Sequence, residues 1–386
     1  MTPVVVGGAL ANRPGNGGGA SVRMTWVAAL RRLGFDVWFV EQMARDVATD
    51  AQGTPVPPER SVQVAFFRQV TRRFGLTDRC ALLDDNGNRL VGARLQRLQQ
   101  VAADSALLVN LGGHLRLPAL LRHFRRRIYV DLDPGFTQYW RADGIDGTGI
   151  DGHDAHYTVG LNVGRSGCEV PMNGVSWRPL PPPVVLDEWP VQDGGLETFT
   201  TVASWRGPFG RVEREGRSFG LKVHEFRKFL DLPAHVPAAL EIALDIHPAD
   251  AQDLDALRQH GWRIVDPRQR VPDPDSYARY VCGSGAELSV AQGIYVETRC
   301  GWISDRTVRY LAAGRPALVQ DTGLGDHVPV GEGLIVFRTF AEAVTGAEAI
   351  AVDYAIHRAR ARQLAEAYFD SDAVVGRLVE ELGAAP

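Results

Sequence analysis

Apolar and polar positions alternate along this chain in two distinct rhythms. Short β-branched or apolar runs are separated by longer stretches of helical period. Residues 4–6 (Val4, Val5, Val6) form the first run of strand type. A glycine-rich loop follows, with Gly15, Gly17, Gly18 and Gly19. Residues 21–33 then place Val22, Trp26, Ala29, Leu30 and Leu33 close to helical spacing, and Gly34 stands where a helix-ending glycine belongs. Residues 35–40, 106–110, 128–131 and, more weakly, 156–159 read as further strands, and residues 65–74 as a helix. Alternation of this kind predicts an α/β domain with a mainly parallel sheet.

The rhythm breaks at Pro179, Pro181, Pro182, Pro183 and Pro190. Proline-dense chain is stiff and extended, so this segment reads as a linker between domains. A second series follows, with strand candidates at 198–203, 240–246, 262–265, 287–290, 316–320 and 334–337. Helical patterns lie between them at 249–260, 274–281, 304–313 and 339–350, and residues 354–381 close the chain as one or two helices. The expected organisation is a first Rossmann-like domain over 1–180, a linker over 181–196, a second Rossmann-like domain over 197–352, and C-terminal helices over 353–386.

Composition narrows the class. A length of 386 residues allows two or three domains, and the linker favours two. Apolar residues make up 45% and charged residues 23%, which excludes a mainly disordered chain. The formal charge is −4 and no basic block occurs, which argues against nucleic acid as a partner. Cys80, Cys168, Cys282 and Cys300 have no paired spacing, so neither a disulfide framework nor a structural metal site is expected. No apolar run is long enough for a membrane helix, and no basic leader precedes residue 4. The expected setting is the cytoplasm. Of the 42 basic residues only Lys222 and Lys228 are lysine.

The densest chemistry lies between Gly301 and Pro329. Gly301-Trp302-Ile303-Ser304-Asp305-Arg306-Thr307 opens an apolar helical stretch ending at Ala313-Gly314-Arg315-Pro316. A buried strand and a loop, Asp321-Thr322-Gly323-Leu324-Gly325-Asp326-His327, come next. Ser304 or Asp305 is a candidate N-cap. A helix start of this kind offers free N–H groups and a positive dipole end to a phosphate, but the same residues also describe an ordinary capped helix.

This stretch resembles the donor-binding segment of GT-B nucleotide-sugar glycosyltransferases. There a glycine-containing turn opens a helix ending in Ala-Gly-x-Pro, and the following loop ends in Asp-Gln, matched here by Asp326-His327. The run from Arg299 to Gly325, with residues 131–138 and 177–189, is also similar to a group of bacterial glycosyltransferase-like proteins. The resemblance implies two Rossmann-like domains facing a cleft, with the C-terminal helices crossing back to the first domain. It implies transfer of a hexosyl-type sugar from a nucleotide-diphosphate donor, used as co-substrate without a further cofactor. The acceptor would be a small molecule, natural-product scaffolds included. Gly301, Trp302, Ser304, Asp305, Arg306, Thr307, Asp326 and His327 would hold the donor. Two departures stand out. Arg309 occupies the position where the family has a ribose-binding acid, and Gly301 replaces a histidine found in plant-type members.

Other candidates sit at predicted strand ends. Gly17, Gly18 and Gly19 would form a loop before the first helix, facing the cleft. His114, Asp131 and Asp133 are candidates for the base that deprotonates an acceptor hydroxyl. Asp131-x-Asp133 also matches a three-residue metal motif of another glycosyltransferase fold, a signal too weak to assign a metal. Trp205 and Arg206 follow a strand and are candidate phosphate or sugar contacts, with Lys222 favoured by its rarity. Lys222 and Glu225 could equally pair along a helix. Two competing readings remain. Gly15-x-Gly17-x-x-Ala20 with Glu41 nominally fits a dinucleotide fingerprint, hence an NAD- or FAD-dependent oxidoreductase, though its first glycine lies far from the strand. A GT-B scaffold acting as an epimerase, or binding sugar nucleotides without turnover, is the other.

Overall fold

The computed structural model describes every residue except Asp146 and Pro208. Its first sheet is built from β1 (Pro3–Gly7), β2 (Asp36–Gln42), β3 (Cys80–Leu83), β4 (Arg89–Gly92), β5 (Leu107–Leu111), β6 (Arg127–Asp131), β7 (Ala155–Thr158) and β8 (Trp177–Pro179). The strands lie in the order β4-β3-β2-β1-β5-β6-β7-β8, all parallel except the β3–β4 pair. The second half starts with β9 (Thr198–Ser204) and a small antiparallel hairpin, β10 (Val212–Arg214) and β11 (Arg217–Phe219). It continues with β12 (Ala239–Asp245), β13 (Arg263–Val265), β14 (Ala286–Ser289), β15 (Ala317–Gln320) and β16 (Leu334–Phe337). The second sheet runs β13-β12-β9-β14-β15-β16 and is parallel throughout. Both are open α/β sheets, so ligand sites are expected beyond the carboxyl ends of their strands, where strand order reverses.

The central strands are buried on both faces, which is why they read as unbroken apolar runs rather than alternating ones. The strongest patterned helices also form, at Val62–Arg73, Pro274–Cys282, Asp305–Ala312 and Phe340–Val352. Two C-terminal helices, Tyr354–Tyr368 and Ser371–Glu381, divide between the halves. The first packs on Asp305–Ala312, and the second buries Val374, Val375, Leu378 and Val379 in the core of the first sheet. The chain thus crosses back to the first domain, and the two crossings meet. Val184 N donates to Phe369 O (2.8 Å) and Ser371 N to Val184 O (2.9 Å). Among the described residues no helix is long and apolar enough to cross a membrane.

One expected loop is different. Gly17, Gly18 and Gly19 are the first turn of the helix Gly17–Arg32, not a loop before it. Asn16 caps that helix, its Oδ1 accepting from Gly19 N at 2.7 Å. The helix start presses against the other domain. Gly17 N donates to Val271 O (3.2 Å), and a Cβ on Gly17 would lie 2.2 Å from Asp273 O.

A second interlock lies across the cleft. The segment after β7 reaches onto the second domain, where Gly160 bridges Trp302 and Asn162 N donates to Cys300 O (2.9 Å). Asn162 Nδ2 donates to Arg299 O (3.0 Å) and Gly323 O (2.9 Å), while its Oδ1 accepts from His327 Nε2 (2.6 Å).

These contacts give a paired expectation. Gly17→Ala should lower Tm despite the better helix propensity of alanine, by about 1–3 kcal/mol of overpacking. Gly376→Ala, whose added Cβ would meet only Leu33 Cδ2 at 3.9 Å, should stabilise by about 0.5–1 kcal/mol. Chemical denaturation of the two variants compares them directly.

Candidate functional site

Between the two sheets lies a cleft of about 770 Å³, within the range of small-molecule sites. The first domain contributes strand-end and helix-start residues, among them Arg13, Gly18, Gly19, Arg23, His114, Arg116 and Asp133. The second contributes Trp302, Ile303, Ser304, Asp305, Arg306 and Arg309 at the start of the helix Asp305–Ala312. Pro181, Pro182 and Pro183 of the crossing segment also line it.

The pair Asp131 and Asp133 divides its labour. Asp131 is 1% exposed and its carboxylate is fully occupied. Oδ1 accepts from Asp133 N (3.1 Å) and Thr137 Oγ1 (2.9 Å), and Oδ2 from Gln138 Nε2 and Thr158 Oγ1 (both 2.8 Å). Burial raises its pKa against these donors. Asp131 therefore ties the turn after β6 together, and neither a base nor a metal-ligand role fits it. Among the described residues no cluster of three His, Cys, Asp or Glu is arranged for a metal.

Asp133 is the member turned to the cleft. The contact to its carboxylate is a long one, from Tyr295 Oη at 3.3 Å. Burial and the neighbouring Asp131 push its pKa up to about 6, against the opposing pull of Arg13 and Arg23. A carboxylate with that pKa can accept a proton near neutrality. Tyr295 belongs to the second domain and its ring lies 4.6 Å from that of Trp302, so the second domain orients the first domain's carboxylate. His114 also lines the cleft. Burial, with the fields of Arg23, Arg13 and Arg116, takes its pKa down to about 3. It is neutral at pH 7 and a weak proton acceptor.

The donor-type segment is only partly turned to the cleft. Trp302, Ser304, Asp305 and Arg306 line it. Ser304 is the N-cap, accepting from Arg306 N at 3.2 Å. Thr307 is 1% exposed and lies in the core. Gly301 (φ +72°) faces Asn162, whose N would lie 2.9 Å from an added Cβ. Asp326 and His327 are not cleft residues either, since His327 serves the Asn162 interlock. Asp305 binds Arg309 Nη1 at 2.8 Å, and Arg309 Nη2 donates to Thr25 Oγ1 of the first helix (3.2 Å).

Arg306 is spent on an internal network rather than held open for a diphosphate. Its Nε bonds Glu287 Oε1 (2.5 Å), Nη1 donates to Val202 O (2.7 Å) and Nη2 to Ser289 Oγ (2.8 Å). Trp205 is 1% exposed and donates to Asp253 (2.8 Å) within the core. Arg206 is held in a two-point pair by Asp250. Glu225 pairs with Lys228, not Lys222, at 2.8 Å through both oxygens. Lys222 does not line the cleft, but it is buried near Arg306, and burial with that charge brings its pKa to about 7. Gly18 and Gly19 line the cleft, while Gly17 makes the domain contact.

Glu41 is fully buried and bonds the backbone N–H groups of Leu10, Ala11 and Asn12 (2.8–2.9 Å), with Asn12 Nδ2 as a fourth donor. Its oxygens are committed to that loop and not available to a ribose, which removes the dinucleotide fingerprint's acid. Arg13, Arg23 and Arg116 are the cleft-lining residues that sequence reasoning passed over, with the buried Tyr295 that reaches Asp133. Their signal was position after a strand or on the first helix, which no local motif marks.

Two outcomes are expected. Arg306→Ala leaves Glu287 buried with its charge unpaired, and should cost about 3–5 kcal/mol by chemical denaturation. Asp133→Asn should raise Tm above pH 6. The folded-state pKa of Asp133 is raised from 3.8 to about 6, so ionisation penalises the folded state at higher pH. The gain should fade as pH drops through 6 toward 4, read from Tm against pH for both proteins.

No protein-family model matches the chain, and no curated protein matches its sequence. Solved structures do match its fold. HepE of Anabaena in complex with UDP-glucose is 9% identical with a TM-score of 0.63, covering 99% of this chain and 100% of that one. An alpha-glucosyltransferase with UDP is 11% identical with a TM-score of 0.61 at the same coverage, and an alpha-glucosyltransferase was also solved with UDP and a 13-mer DNA containing an HMU base. AviGT4, a glycosyltransferase involved in Avilamycin A biosynthesis, is 12% identical with a TM-score of 0.55, over 99% of this chain and 97% of that one. The chain has the GT-B fold: two Rossmann-like domains facing a cleft, with a C-terminal helix returned to the first.

Proposed function

We propose that the protein is a glycosyltransferase that moves a sugar from a nucleotide-diphosphate sugar, here a UDP-sugar, to a hydroxyl of a small-molecule acceptor in the cytoplasm. The observation that carries the reading is Asp133. A buried-side carboxylate with a pKa near 6 faces the start of the helix Asp305–Ala312 across the cleft of a GT-B fold. UDP or UDP-glucose in the similar solved structures supports the choice of nucleotide.

In this reading the second domain holds the donor. The N–H groups at the start of that helix meet the diphosphate. Asp305 offers the carboxylate for a ribose hydroxyl, replacing the acid that Arg309 displaced. Trp302 provides an aromatic face beside the transferred sugar. Asp133 takes the proton of the acceptor hydroxyl as its oxygen bonds to the anomeric carbon. The bond from that carbon to the diphosphate oxygen breaks, and UDP leaves with the electron pair. Proximity inside the cleft and exclusion of water supply the rest of the acceleration.

The test is UDP release from UDP-glucose with an acceptor panel that includes duplex DNA. Asp133→Asn should lower kcat about 10²–10⁴-fold. The wild-type rate should rise with pH through about 6 as the carboxylate ionises. Wild-type turnover in Asp133→Asn would remove Asp133 as the base. Thermal stabilisation by NAD or FAD but by no sugar nucleotide would overturn the reading, and transfer to DNA alone would overturn the acceptor class.

A further inference from the structure

The cleft is charged asymmetrically. On the second domain Arg306 is spent on Glu287 and Arg309 on Asp305, while the exposed Arg268 has only a 3.8 Å contact with Asp245. The first-domain arginines are not spent in this way. Arg13, Arg23 and Arg116 line the cleft, and none takes part in an ion pair within 4 Å among the described residues.

Arg23 is the informative one. It is only 8% exposed, on the first helix, one turn past its start. Its recorded hydrogen bond is a single one, from Nη1 to Gly19 O at 3.1 Å, and its buried Nε has no partner among the described residues. The nearest acids do not relieve it. Glu41 and Asp131 are committed to backbone and hydroxyl donors. Burial and then the like charge of Arg13 lower the Arg23 pKa to about 10, against the weaker pull of Asp305, Asp133 and Glu41. A buried, under-bonded guanidinium beside a second arginine is costly in an empty cleft and favourable once an anion enters.

We propose that Arg13 and Arg23 bind an anionic group of the acceptor, a phosphate or a carboxylate, on the first-domain wall beside Asp133. This rests on the glycosyltransferase reading for the word acceptor, but the anion site itself does not. It lies on the first-domain wall of the cleft, and the helix start assigned to the donor diphosphate lies on the second-domain wall. The anion would set the accepting hydroxyl near Asp133 by two fixed charges, and neutral acceptors would lack that anchor.

The probe is inorganic phosphate, titrated calorimetrically into the full chain alone and into the chain saturated with UDP. Phosphate should bind both with similar affinity. Arg13→Gln and Arg23→Gln should each weaken phosphate binding about tenfold, the loss of one charge-assisted contact, with UDP affinity unchanged. Arg23→Lys should recover part of the loss, and Arg13, on a loop, tests the site without threatening the helix. In transfer assays, glucose 6-phosphate and glucuronate should have lower KM than glucose, and Arg13→Gln should erase the difference. Competition between phosphate and UDP, or equal weakening of both by the variants, would assign the arginines to the donor and overturn the proposal. Absence of phosphate binding to the wild type would overturn it too. Phosphate binding that the variants lose, in a protein that UDP does not bind, would uphold the anion site and overturn the glycosyltransferase reading instead.

Discussion

The cleft exists in its present form because one asparagine is wedged between two glycines. Asn162 comes from the first domain and stands where side chains at Gly301 and Gly323 would be. Added Cβ atoms there would lie 2.9 Å from its backbone N and 2.8 Å from its Nδ2. Both glycines have positive φ, +72° and +87°, so the backbone curves around the intruding side chain in a way other residues adopt at a cost. Three hydrogen bonds then lock the amide to Arg299, Gly323 and His327. The features that look most like donor-binding motif, a glycine turn and a residue pair at 326–327, are thus used largely to hold the domains at a fixed distance. With Gly17 pressed on Asp273 at the other contact, backbone and the Asn162 amide together hold the two domains.

Within that frame, buried charge separates structural from chemical groups. Glu41 and Asp131 are deeply buried, and each accepts four hydrogen bonds, the pattern of carboxylates that organise loops. Arg306 and Glu287 neutralise each other below the helix start. Lys222 and Arg23 are buried and Asp133 half-buried without such partners, and their pKa values move toward neutrality to about 7, 10 and 6. Displacement of this sort, where geometry also opens onto a cavity, is how sites differ from cores.

The sequence made the architecture readable because buried parallel strands are short apolar runs and their helices keep a clean period. The strands β9, β12, β14, β15 and β16 fell close to their expected places. Short pieces did not show: β3, though apolar, has only four residues, and β4 and the hairpin of β10 and β11 are short and polar. The helix Leu95–Asp104 does keep a period, through Leu95, Leu98, Val101 and Ala102, that sequence reasoning passed over. At the site, Asp133 and the residues 302–306 were visible through strand ends and a helix start. What could not be read was commitment. Nothing local says that Arg306 meets Glu287 nineteen residues earlier, that Trp205 turns inward, or that Asn162 claims His327. Those facts belong to tertiary pairing, as does the convergence of Arg13 and Arg23 on a wall no motif describes.

Arg309 joins the second domain to the first helix. It sits where the resembled family places an acid, and it is 1% exposed. Its guanidinium joins Asp305 to Thr25 of the first helix, and its plane lies 5.6 Å over the Trp189 ring in the crossing segment. An acid at this position could not make that bridge. The substitution therefore puts a domain contact at this position, and the nearest carboxylate lies one helical turn earlier, on Asp305. Because Arg309 holds Asp305 in place from behind, the carboxylate is aimed rather than free. The same bridge fixes the helix Gly17–Arg32, and with it Arg23, against the helix start at Asp305. One buried arginine thereby ties the two walls of the cleft together.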